Sequence, residues 1–371
     1  MAAGRTAREL ALRALVRIDE EGAYANLVLR DALDHSGLER RDRAFVTDLV
    51  YGVTRLRRRL DHVVDRFLLR PVDPPVRAAL RLGAYQLREL GTPAHAAVSA
   101  TVAALPERRA RGLVNAVLRR VAADPLPDGP WPDLATELSY PDWVVDSLTS
   151  AHGRDEAVAA LVAMDEPASA TERDDGYVQD RASQWVAELV EAAPGQRVAD
   201  LCAAPGGKAT AMAATGAMVL AADSRAGRLG LVTANAERLG ASLLVVAADA
   251  GAPPLRPASF DRVLIDAPCS GLGTLRRRPD ARWRIDEAGV ERLAALQRRL
   301  LAAAVPLLRP GGMLVYSVCT LTDEEGPDVA ATVDLEPVPP PPAPWRPWGS
   351  GAVLLPHLAG TDGMFVARWR L

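Results

Sequence analysis

The chain has 371 residues, 49% of them hydrophobic and 25% charged, so two or three ordinary globular domains are expected rather than one. No run of about 18 or more uncharged apolar residues occurs, and the mixed-charge stretch from Met1 to Leu10 has no apolar core, so neither a membrane span nor a signal peptide is expected. Three cysteines cannot build a disulfide framework, which points to a reducing cytoplasm, and the net charge is −3.

Charge is unevenly spread along the chain. Residues 1–125 hold 22 arginines against 15 Asp and Glu, a net of +7, and the remainder nets −10. A basic module on an acidic body suggests a polyanion docked at one end, although a solvated charged surface has the same composition. Residues 5–122 read as helices, because apolar residues recur at three- and four-residue intervals. Leu10, Ala11, Ala14 and Leu15 show this, as do Phe45, Val46, Leu49 and Val50 and then Leu113, Val114, Val117 and Leu118. Asp124 to Pro132 places four prolines in nine residues, a linker. A helical pattern returns from about Pro141 to Met164, and Asp165 to Tyr177 is polar, acidic and aperiodic.

From Arg197 the period changes. Val198–Cys202, Met218–Asp223, Leu243–Asp249, Phe260–Asp266 and Met313–Ser317 read as buried strands, with helical stretches between them, the clearest from Asp286 to Leu308. This alternation predicts a doubly wound parallel sheet. Pro337 to Pro347 reads as a surface connection, and Met364 to Trp369 alternates like a closing antiparallel strand.

The first strand leads into Asp200, Leu201, Cys202, Ala203, Ala204, Pro205, Gly206, Gly207 and Lys208. Small residues and paired glycines let a ligand approach the backbone where a helix begins. A phosphate-binding P-loop does not fit, since Cys202 stands at its leading glycine and Ala209 at its magnesium-binding hydroxyl. Asp223, Asp249 and Asp266 end the next three strands. Such aspartates cap helices, but in series after a glycine turn they suit a nucleoside, the first accepting ribose hydroxyls and the second an adenine amine. Lys208 is the only lysine among 44 basic residues, which suggests a task a guanidinium cannot perform.

Asp266-Ala-Pro-Cys-Ser-Gly271 and Ser317-Val-Cys-Thr320 each follow a strand, so Asp266, Cys269 and Cys319 converge at one edge of a parallel sheet. A thiolate there can add to carbon 6 of cytosine and make carbon 5 nucleophilic, while a carboxyl group meets ring nitrogen 3. A cation such as Lys208 would favour the thiolate.

These three motifs, with Arg276 to Trp283 and Leu293 to Gln297, resemble the signatures of the NOL1/NOP2/Sun family of RNA 5-methylcytosine methyltransferases. The N-terminal half resembles the NusB-like RNA-binding domain through Asp42 to Val46, Leu49 to Gly52, Leu80 to Leu87, Pro93 to Val98 and Val114 to Arg120. The combination is similar to the bacterial group of that family, called Sun or Fmu, that acts on small-subunit (16S) rRNA. The resemblance implies an all-α NusB-like domain at 1–125, a linker and connecting helix at 126–176, and a Rossmann-like class I methyltransferase domain at 177–371. It implies that S-adenosyl-L-methionine is held by Cys202 to Lys208, Asp223, Asp249 and Asp266. It also implies that Cys319 attacks the base, Cys269 aids product release and Asp266 contacts the base, with Lys208 nearby. The expected partner is RNA, with no metal and a monomeric chain. Two departures stand out. Only about Asp165 to Gly176 fills the place of a larger RNA-contacting subdomain, and Gly326 follows Glu324 and Glu325 where asparagine is usual. Two rivals remain at this point: a DNA cytosine-5 methyltransferase using Cys269, and a catalytically retired RNA-binding factor.

Overall fold

A computed structural model describes residues 6–124 and 131–371; most of the proline-rich linker expected at 124–132 lies outside the described residues. The chain forms two compact units. One comprises residues 1–145 with 278–284, and the other 146–277 with 285–371. The first therefore runs past the boundary expected at 125 and takes in a short segment from far along the chain.

The first unit is helical. Its opening helix, Ala7–Glu21, starts on a capping box in which Thr6 and Glu9 satisfy each other's backbone N–H groups, and stops on Gly22 in the left-handed region. Its apolar stripe, Leu10, Ala11, Ala14, Leu15 and Ile18, packs on helices Arg40–Arg55 and Pro74–Arg88.

The dense arginine run at 55–59 is largely committed inside this unit. Arg55 is buried. Arg58 donates to Thr136 Oγ1 and Tyr140 O and pairs with Asp133 and Asp142. Arg57 lies 3.5 Å from Asp19, and Arg59 stacks over Trp131. Arg282 is likewise buried, with its guanidinium 3.8 Å from the Tyr140 ring centre, and Arg284 pairs with Asp280.

The second unit is built on a nine-stranded sheet: β1 Arg197–Asp200, β2 Met218–Asp223, β3 Leu243–Ala247, β4 Phe260–Asp266, β5 Leu308–Val318, β6 Glu336–Pro337, β7 Arg346–Trp348, β8 Gly351–Leu354 and β9 Met364–Arg370. The order is β3-β2-β1-β4-β5-β9-β8-β7, with β6 also on β9. The first five are parallel; β9 runs antiparallel to β5. Both faces are covered, which explains the near-continuous apolar runs. Val263 and Ile265 of β4 face helix Glu287–Ala304 through Ala294, Leu300 and Leu301. Leu264, between them, faces Ala182, Val186 and Met212 on the other side.

Three features differ from the sequence reading. The helix expected from 141 to 164 is two helices, Asp142–His152 and Arg154–Asp165, parted by Gly153 at φ 80°. The segment read as a surface connection, Pro337 to Pro347, supplies the last residue of β6 and the first two of β7. The closing strand, β9, is antiparallel as expected, but β8 and β7 continue the sheet beyond it.

Candidate active site

The chain leaves β1 toward β2 on one side and crosses to β4 on the other, so a crevice opens where β1 and β4 lie side by side. Asp200 ends β1 and Asp266 ends β4. Lys208 lies in the first turn of helix Gly207–Ala213, which follows β1, and places its Nζ 2.6 Å from Asp266 Oδ2. The other oxygen, Oδ1, accepts from Ser317 Oγ at 2.7 Å. That contact follows from register, because Asp266 of β4 stands opposite Ser317 of β5. Burial by itself would lower the pKa of the Lys208 ammonium; attraction to Asp266, Asp200 and Cys319 outweighs this and raises it.

Asp200 is a site residue that the sequence reading passed over. It is 1% exposed, and its Oδ1 accepts no hydrogen bond among the described residues. Burial, and then the neighbouring Asp266, push its carboxyl up to about 7.

The two loops beyond Asp266 and Ser317 carry Cys269 and Cys319. Their sulfurs lie 3.2 Å apart, and Gly273 N donates to Cys319 O at 2.9 Å. The hydrogen bond with Cys319, together with burial, holds the Cys269 thiol well above the ordinary cysteine range. Cys202 is also raised, by burial first. The Lys208 ammonium is seated on Asp266 rather than hydrogen-bonded to either thiol. At Gly326, a Cβ would fall 3.0 Å from Thr322 O and 3.1 Å from the Trp348 ring, so a side chain there requires its neighbours to give by a few tenths of an ångström.

Around the glycine turn, Asp223 Oδ2 accepts from Ala204 N at 3.3 Å and Oδ1 from Arg225 N at 2.9 Å. Each oxygen keeps a lone pair, and the side chain is 8% exposed. Asp249 is more open, bonded to Gly251 N and 3.6 Å from Arg299. The short segment in place of the larger subdomain folds back as a hairpin, bridged between Glu172 and Val178. From it Arg173 donates to Gly207 O at 2.5 Å and stacks over Tyr177. The orphaned buried acceptor on Asp200 and the spare acceptors on Asp223 fit an amino acid–nucleoside ligand, whose ammonium and ribose hydroxyls are donors. Asp200, Gly206, Gly207 and Asp223 are the residues that would hold it.

Fold and site define an S-adenosylmethionine-dependent methyltransferase carrying a NusB-type helical unit. Residues 187–370 match the family described as 16S rRNA methyltransferase RsmB/F, and residues 5–123 match the NusB family. Ribosomal RNA small subunit methyltransferase B of Thermus thermophilus is 38% identical, with 98% of each chain covered. The Pseudomonas putida protein of the same name is 34% identical over 87% of each. Among solved structures, PH0851 shares the fold at a TM-score of 0.80 and 22% identity, covering 97% of this chain and 98% of its own. The chain belongs to the ribosomal RNA small subunit methyltransferase B family, enzymes that use S-adenosyl-L-methionine as methyl donor. No helix among the described residues is long and apolar enough to cross a membrane.

Proposed function

We propose that this enzyme methylates carbon 5 of a cytosine in 16S rRNA, with Cys319 as the attacking thiolate. The observation that carries the reading is the pair of sulfurs 3.2 Å apart beside the Lys208–Asp266 ion pair. A cytosine in this crevice meets three groups with complementary tasks. The Cys319 thiolate forms a bond to carbon 6, and the ring's electrons shift toward nitrogen 3 and carbon 5. Asp266, held by Lys208 and Ser317, lies at the developing charge on nitrogen 3, and the Lys208 ammonium on its Oδ2 supplies the proton that neutralises this charge. S-adenosylmethionine, when bound, supplies an electrophilic methyl group. Departure then breaks the bond between carbon 6 and Cys319 as a solvent water takes the carbon 5 proton. Cys269 serves this last stage. A thiol kept protonated by burial and by its neighbour can donate S–H to the Cys319 sulfur, stabilising it as a leaving thiolate.

The spacing also bears on the DNA-type alternative, in which Cys269 attacks. Its thiol is held protonated, which suits a donor better than a nucleophile. Methyl transfer from labelled cofactor to 16S rRNA, with nucleoside analysis of the product, tests the assignment. 5-Methylcytosine formed by the native protein and absent with Cys319→Ala, at unchanged cofactor affinity, is the expected result. Turnover by Cys319→Ala would overturn it.

A further inference from the structure

Two signature positions have no part in the chemistry above: Gln297 in helix Glu287–Ala304, and Glu325 in the loop after Cys319. Both are 0% exposed, unusual for a carboxylate unless something requires it there. Glu325 Oε1 accepts from Ser270 N and from Gln297 Nε2, each at 2.9 Å. Gln297 Nε2 donates also to Pro268 O at 2.9 Å. Tyr316, on β5, donates its hydroxyl to Glu325 O at 2.6 Å and lies 3.0 Å from Gln297 Oε1. Pro268 and Ser270 flank Cys269, and Glu325 closes the loop that begins at Cys319. One buried carboxylate therefore ties both cysteine loops to each other and, through Gln297, to a helix of the sheet's cover. A second tie between the loops, Ser270 Oγ to Thr320 Oγ1 at 3.0 Å, lies beside it.

The structure assigns Glu325, with Gln297, as the positioning pair that sets the separation of the Cys269 and Cys319 sulfurs. The pair touches neither base nor cofactor and acts through the cysteines alone. Its value for catalysis rests on the reading of Cys319 and Cys269 given above, but the spacing itself does not. A buried acceptor of two N–H donors can be replaced by glutamine, whose carbonyl oxygen accepts the same bonds, and not by alanine, which leaves Ser270 N and Gln297 Nε2 unsatisfied.

The test reads the sulfur spacing directly in the full-length protein, without RNA or cofactor. Dibromobimane becomes strongly fluorescent only on linking two close thiols, and Cys269→Ala and Cys319→Ala give its zero. Glu325→Ala should slow cross-linking by about tenfold, equivalent to about 1.4 kcal/mol of lost preorganisation. Glu325→Gln should restore the native rate. Where Glu325→Ala does not fold, Gln297→Ala reports the same loss. A native cross-linking rate in folded Glu325→Ala or Gln297→Ala would overturn the assignment, because a merely structural carboxylate changes stability and leaves the spacing alone. Since nothing is methylated in this assay, its outcome is independent of which cysteine attacks.

Discussion

Replacing Asp200 by asparagine removes a buried titratable group while keeping its shape. In the native protein the carboxyl is pushed up to about 7, whereas an unfolded chain titrates it near about 3.9. Between those values the folded protein holds a proton that the unfolded chain has released. The stability this contributes is fully present below about pH 4 and is lost as pH rises through about 7. For a displacement of about three units, the loss between about pH 5 and pH 8 comes to about 2.5 kcal/mol. Asparagine carries no such proton. Its amide shifts the whole stability curve by a constant and removes this part of the slope. Native-state hydrogen exchange at the amides of β1 and β4, corrected for the intrinsic effect of pH on exchange, measures the local free energy in both proteins. The native protein should lose about 2.5 kcal/mol more than Asp200→Asn over that range. Parallel curves would refute the claim that Asp200 is driven to protonate by burial beside Asp266.

Other substitutions probe separate parts of the site. Gly273→Ala would place a Cβ 2.1 Å from Gly363 O, backbone that cannot step aside, and disturb the bond from Gly273 N to Cys319 O. A stability loss of about 1–3 kcal/mol on thermal unfolding, with methyl transfer lost and cofactor affinity kept, is expected. Asp223→Ala should weaken S-adenosylmethionine binding by about tenfold or more in calorimetry, since charge-assisted bonds to ribose hydroxyls contribute about 1.5–3 kcal/mol; an unchanged dissociation constant would leave Asp223 as a partner of Ala204 N, Arg225 N and the Arg228 guanidinium only. Arg58→Ala should lower the melting temperature and leave the salt dependence of RNA binding unchanged, because its guanidinium is occupied by Thr136, Tyr140, Asp133 and Asp142 rather than held out for phosphates.

Much of the active-site edge was legible because parallel strands end where chemistry gathers. The apolar runs ending at Asp223 and Asp266 are strands that stop at those residues, and the loops after β4 and β5 bring Cys269 and Cys319 together. What escaped were pairings set by register and burial. Nothing local to Ser317 says that it stands opposite Asp266, which depends on β4 and β5 being neighbours. Asp200 looks like any strand-end aspartate until its orphaned oxygen is seen. The strands β6 to β8 are two to four residues long and lie among prolines, too short for alternation to register. The role of the arginine run at 55–59 is hidden in the sequence for a related reason. A cluster in sequence does not reveal carboxylates such as Asp19 and Asp133 that fold against it from distant segments.

The division of labour between the two cysteines is most directly tested by trapping the covalent RNA adduct. Each variant is incubated with S-adenosylmethionine and 16S rRNA and run on a denaturing gel. Cys269→Ala should accumulate a slow-migrating species that RNase removes, because Cys319 still adds to the base while its departure stalls without the neighbouring S–H donor. Cys319→Ala should form none. An adduct with Cys319→Ala and none with Cys269→Ala would contradict the account and exchange the roles of the two residues.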